Sequence, residues 1–133
     1  MLRPNILTVV LLSALFLIPV FAQNEMITWD GDSDALVTFL KSDNDNLKIF
    51  AMQQIILNTD RVKVTRVSHH VYNVFRNHTN DKVRQLALVT LYKLNHIFIL
   101  KNLVDDYYSE SNPKIRMQIA YILEKMPVLS SLP

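Results

Sequence analysis

Asp30, Asp32 and Asp34 stand at alternate positions, the spacing that opens a calcium loop. The rest of such a loop is missing: Ala35 occupies the place where the sharp turn needs Gly, and Lys41 the place where a bidentate Glu should close it. Helix capping and favourable contact with a helix dipole account for these acids more simply. His69 and His70 are adjacent, so on a helix they diverge by about 100° and cannot share a metal ion. Ser68 lies beside His69 on the same stretch, where a nucleophile and its base cannot converge, and Asp105 and Asp106 diverge in the same way. A single Gly in the whole chain leaves no room for a glycine-rich phosphate loop. These patterns predict no catalytic residues, no cofactor and no metal site, and hence a protein that is not an enzyme.

A recognition surface is the better expectation. Val64, Val67, Val71, Val74 and Phe75 follow helical spacing, and the stripe opposite them carries Arg66, His69, Asn73 and Arg76. Further on, Phe98, Lys101, Asp105 and Tyr108 repeat the spacing of three, four and three. Side by side, the two stripes would present cations, a His and two aromatics, a composition favoured where proteins meet. An ordinary solvated face is the competing reading.

The elements that must position these stripes are written in triplicate. Leu47-Lys48-x-x-Ala51-Met52-x-x-Ile55 returns as Val83-Arg84-x-x-Ala87-Leu88-x-x-Leu91 and as Ile115-Arg116-x-x-Ile119-Ala120-x-x-Leu123. The copies are 36 and 32 residues apart, from 83 − 47 and 115 − 83. Such a period points to stacked helix pairs. Turn residues precede each copy: Asp43-Asn44-Asp45-Asn46, Thr79-Asn80-Asp81 and Ser111-Asn112-Pro113, the Pro suiting a first helical turn. Apolar spacing and breakers predict helices over 33–41, 47–58, 64–77, 82–94, 97–109 and 113–125. Each pattern helix would then pair with the helix after it, leaving the last one without a partner. Small Ala51, Ala87 and Ala120 would let helices approach closely, and Lys48, Arg84 and Arg116 would bond acids or carbonyls of the neighbouring unit.

Turn, apolar-basic pair and small residues together resemble the HEAT-repeat family, in its short form, over 33–126. The third copy departs from the pattern, with Ile119 where the others have Ala. The resemblance implies an all-α, right-handed α-solenoid of antiparallel helix pairs with about two and a half repeats. It also implies a scaffold without a shared catalytic site, whose second helices line the face that partners occupy.

Residues 1–22 read as a signal peptide: Arg3, an apolar run from Ile6 to Phe21, then Val20-Phe21-Ala22 as the cleavage point. Residues 23–32 read as a flexible lead and 127–133 as a C-terminal tail. The expected destination is the periplasm or the exterior, with no stable membrane insertion after cleavage. A chain with no Cys must rely there on packing alone. Charge is uneven: across 23–46 six acids face Lys41 alone, whereas 47–101 hold nine bases against Asp60 and Asp81. That basic middle supports a rival reading, binding of an anionic polymer or headgroup, although the aromatic platform of a nucleic-acid surface is lacking and nucleic acid is not the expected partner. A third reading is self-assembly: Ile115, Ile119 and Ile122 on the final helix, with Val128 and Leu129, would form an open apolar end for a homodimer. The leading expectation is an exported scaffold that binds a protein partner, whose identity the sequence does not reveal.

Overall fold

A computed structural model describes residues 33–126. The leader, its cleavage point, Asp30, Asp32 and the C-terminal tail lie outside those residues. Within them the chain is all-helical, without strands.

The helices are α1 (Ser33–Lys41), α2 (Asp45–Leu57), α3 (Val64–Asn77), α4 (Asp81–Leu94), α5 (Ile97–Leu100), α6 (Leu103–Ser109) and α7 (Pro113–Glu124). Their starts follow from local chemistry repeated three times. Asn44, Asn80 and Asn112 are the N-caps of α2, α4 and α7, and each side-chain oxygen accepts from the backbone N–H two residues on, at 2.9 Å. Each Asn N–H is itself taken up by the side chain two residues earlier. Ser42 Oγ accepts at 3.1 Å, His78 Nδ1 at 2.9 Å and Glu110 Oε1 at 3.0 Å. Three chemically different residues thus do one job in three copies of the turn. The helix ends are as specific: Asn95, in the left-handed conformation at φ 51°, ends α4, a backbone state that Asn tolerates better than most residues.

Packing differs from the expected pairing. The most extensive contacts join α3 to α4, and strong ones join α1 to α2 and α6 to α7, so each pattern helix packs on the helix before it. α7 therefore packs on α6, and the described residues contain three such pairs, α1–α2, α3–α4 and α6–α7. Further contacts link α2, α4 and α7 in one row and α1, α3 and α5 in another. Polar bonds at the helix starts set the register of both rows. Ser33 Oγ accepts from the Lys63 N–H at 2.9 Å, which brings the starts of α1 and α3 together. His78 Nε2 meets Asp45 Oδ1 at 2.8 Å, and Asn112 Nδ2 donates to Asp81 Oδ2 at 2.6 Å, which does the same for α2, α4 and α7.

The core between the rows holds Leu36, Ile55, Val67, Phe75, Leu88 and Leu103, all essentially inaccessible. Ala51 and Ala87 are fully buried, as close helix approach requires. Ala120 is not their counterpart: it is only half-buried, while Ile119 occupies the buried position. α7 packs on both α6 and α4, and the larger Ile119 fills that contact. Ile115, Ile119 and Ile122, expected to be exposed at an open apolar end, are buried, while Val128 and Leu129 lie outside the described residues. What α7 exposes is Met117 and Tyr121, the latter beside Tyr92 of α4 at a ring separation of 6.2 Å.

The predicted continuous helix over 97–109 is broken. Asn102 N donates to Ile99 O at 3.0 Å and Val104 N to Lys101 O at 3.2 Å, three-residue bonds that tighten the chain between α5 and α6. Leu100 and Leu103, three apart, both point inward as a result.

The basic series separates into one staple and two cations that make no such bond. Arg84 Nε donates to the Phe75 carbonyl at 2.9 Å, one terminal nitrogen reaches Asp81 at 3.2 Å, and the other forms a short ion pair with Glu110. Both Arg84 and Glu110 side chains are largely buried. Burial pushes the Glu110 carboxyl up, but the bonds from Arg84 and the Asn112 N–H outweigh it and hold the group below its ordinary 4.5. Lys48 and Arg116 form no comparable bond among the described residues. Arg84→Ala should therefore cost about 3 kcal/mol by stranding a buried carboxylate, whereas Lys48→Ala and Arg116→Ala should change stability by about 0.5 kcal/mol or less. Urea midpoints check this. Because the Glu110 pKa is depressed on folding, its contribution is full above 4.5 and declines as pH falls through the lower folded value, so Glu110→Gln should flatten that acid limb.

Candidate functional site

The residues of the two expected stripes are all exposed: Arg66, His69, Asn73 and Arg76 on α3, and Phe98, Lys101, Asp105 and Tyr108 along α5, α6 and the tight link between them. Exposure does not make them equal. Arg66 Nε is tied to Asp34 Oδ1 of α1 at 2.7 Å, which directs its charge toward the first hairpin. Arg76 lies 3.6 Å from Asp106 Oδ1 and 5.9 Å from the Tyr72 ring, so its charge is directed toward α6. His69 touches His70 edge to face, with ring centres 6.1 Å apart. Both aromatic members are well exposed, Phe98 at 71% and Tyr108 at 80%. Lys101 Nζ sits 5.9 Å from the Phe98 ring and His96 packs against its edge, while Tyr107 supports Tyr108 at 5.3 Å.

The point where the stripes are joined is a residue the spacing did not single out. Asp106 is buried, and Tyr72 of α3 donates its O–H to Asp106 Oδ2 at 2.6 Å. A carboxylate inside an apolar contact needs such partners, and Tyr72 and Arg76 supply one for each oxygen. Burial, with the adjacent carboxylate as the second cause, pushes the Tyr72 phenol up to about 12. Periodicity places Asp105 on the exposed side and Asp106 about 100° round from it. Only the neighbouring helix reveals that Asp106 is satisfied and Asp105 free of that burden. Beside this bond, Arg76, Arg84, Asp106, Ser109 and Glu110 enclose a polar hollow of about 260 Å³, in which both guanidiniums already face carboxylates.

No protein-family model, curated protein or solved structure matches the chain. Ser68 is buried and donates to the Val64 carbonyl at 2.6 Å, so its hydroxyl is committed to its own helix. His78 is committed as well. Its Nδ1 accepts from Asn80 N–H, so Nε2 carries the proton and donates to Asp45, whose carboxyl is held below its ordinary 3.8 mainly by that bond. Among the described residues no three His, Asp or Glu side chains converge as metal ligands would, and no helix is long and apolar enough to cross a membrane. A second, larger hollow lies between α1, α2 and α3 and is lined by Lys41, Lys48, His70 and Asn73. Sequence spacing did not foresee it, since its cations come from different helices.

Tyr72→Phe should leave one Asp106 oxygen unpaired and cost about 1–3 kcal/mol. Ultraviolet titration provides a second check: one of the five tyrosines should ionise only near 12, and that transition should vanish in Tyr72→Phe. Since the pKa is raised on folding, the Tyr72 contribution is complete below 10 and is lost as pH rises toward 12.

Proposed function

We propose that this chain is an exported HEAT-like α-solenoid module that binds a protein partner through the exposed face of α3, α5 and α6. The observation that supports this most is the pair Phe98 and Tyr108, two large, mostly exposed aromatics on a short kinked segment. Aromatic side chains flanked by cations contribute strongly to binding because they bury much area at little cost in conformational freedom. Phe98 is braced by His96 and Lys101 and Tyr108 by Tyr107, so both rings are partly ordered before a partner arrives. Arg66 and Arg76, already engaged by Asp34 and Asp106, serve on this reading as the charged rim.

Solenoid geometry with a right-handed sense would suit the hairpin pairing and the row-by-row register, and export would suit the N-terminal apolar run. Binding of an anionic polymer is less favoured, because Arg66, Arg76 and Arg84 are each paired with an acid of the chain.

The test is affinity capture from an envelope extract with wild type, Phe98→Ala/Tyr108→Ala, Arg66→Glu/Arg76→Glu and Met117→Ala/Tyr121→Ala. The aromatic pair on α5 and α6 should abolish retention of a specific protein, the charge reversals should weaken it about tenfold or more, and the α7 pair should leave it unchanged. Retention that survives the first two variants would remove this face from consideration.

A further inference from the structure

The hollow between α1, α2 and α3 has a volume of about 490 Å³, within the range of small-molecule sites. Its lining is divided by chemistry. Leu40 at the end of α1 and Val74 of α3 provide apolar walls, while Lys41 and Lys48 bring two ammonium groups to it from α1 and α2. His70, Asn73 and Asn77 add hydrogen-bonding groups along α3.

The charges do not cancel. Among the described residues Asp45 is the only carboxylate in the lining, and its charge is already shared by the Nε2–H of His78 and by nearby Lys48. Lys41 and Lys48 form no ion pair or hydrogen bond among the described residues, in contrast to Arg66, Arg76 and Arg84, each held by an acid. Two ammonium groups against one engaged carboxylate leave a single positive charge to be matched. The field extends into the hollow: His70 is kept below its ordinary 6.5 by its partial burial first, and then by the cationic surroundings of His69, Lys41 and Arg66.

We propose that this hollow binds a carboxylate monoanion carried on an apolar group, with Lys41 and Lys48 taking the charge and Leu40 and Val74 taking the apolar part. A free organic acid and the C-terminal carboxylate of a peptide share this chemistry. A phosphate dianion fits less well, because it would face Asp45 with charge to spare and leave the apolar walls uncovered. The site is distinct from the Phe98–Tyr108 surface, touching the proposed partner face only at Asn73, so either can fail without the other.

The test is a nuclear magnetic resonance titration of the full chain at constant ionic strength and pH, with sodium hexanoate, N-acetyl-leucine, hexanol, N-acetyl-leucinamide and inorganic phosphate as probes. The two carboxylates should give saturable shifts confined to the amides of Lys41, Lys48, Asn73 and Asn77, and in a parallel pH titration at saturating ligand should raise the midpoint of His70. The uncharged analogues and phosphate should bind at least tenfold more weakly. Lys41→Gln/Lys48→Gln, which alters two surface side chains, should abolish the saturable shifts with unchanged thermal midpoint, and Arg116→Gln should have no effect. Tighter binding of N-acetyl-leucine than of hexanoate would identify a chain terminus as the ligand, and the reverse a free acid. Equal response to hexanol or phosphate, or shifts that persist in the double Lys variant, would overturn the proposal.

Discussion

The guanidinium of Arg84 binds acceptors that come from three places along the chain: the Phe75 carbonyl at the end of α3, Asp81 in the first turn of α4, and Glu110 just before α7. All three can be satisfied together only if the turn before α4 and the turn before α7 lie side by side. Glu110 in turn uses its carboxylate to hold the Asn112 N–H, and Asn112 caps α7 while donating to Asp81. The network therefore couples the placement of a hairpin to the capping of its helix. A slip of one residue would leave a largely buried carboxylate and a helix start without partners, a penalty much larger than the loss of one surface ion pair. The register in which Ile115 and Ile119 meet α4 depends on it.

The other junction uses weaker chemistry for the same end. Between the turns before α2 and α4, a His78 imidazole replaces the Glu110 carboxylate, accepting from Asn80 and donating to Asp45. Lys48 stands at the position of Arg84 but is left facing the hollow beside α3. One junction thus consumes its cation in holding the fold, and the other leaves its cation available. The difference between repeats, more than their common pattern, determines where the molecule has chemistry to offer.

Helix positions were largely legible in the sequence. Breakers such as Asn44, Asn80 and Pro113 act locally, within a turn of the residues they affect, and the predicted limits of α1, α3 and α4 fall within a residue of those observed. Pairing was not legible, because a pattern helix is amphipathic whether its partner precedes or follows it. The kink between α5 and α6 escaped notice for a similar reason: Phe98, Lys101, Asp105 and Tyr108 keep helical spacing across a link that tightens to bury both Leu100 and Leu103. In the third copy, small size at Ala120 suggested a close contact, whereas Ile119 takes the inward place.

Residue order alone thus determined that this chain is helical, that its turns recur at intervals of 36 and then 32 residues, and which sides of its helices are apolar, since all three follow from interactions within a few residues. Tertiary structure decided which cations are spent and which are free. Arg66, Arg76 and Arg84 find their acids on other elements, at Asp34, Asp106 and Glu110, whereas Lys41 and Lys48 arrive at one hollow from two helices. Such meetings join residues some 30 positions apart, as with Arg66 and Asp34, and no local spacing encodes them.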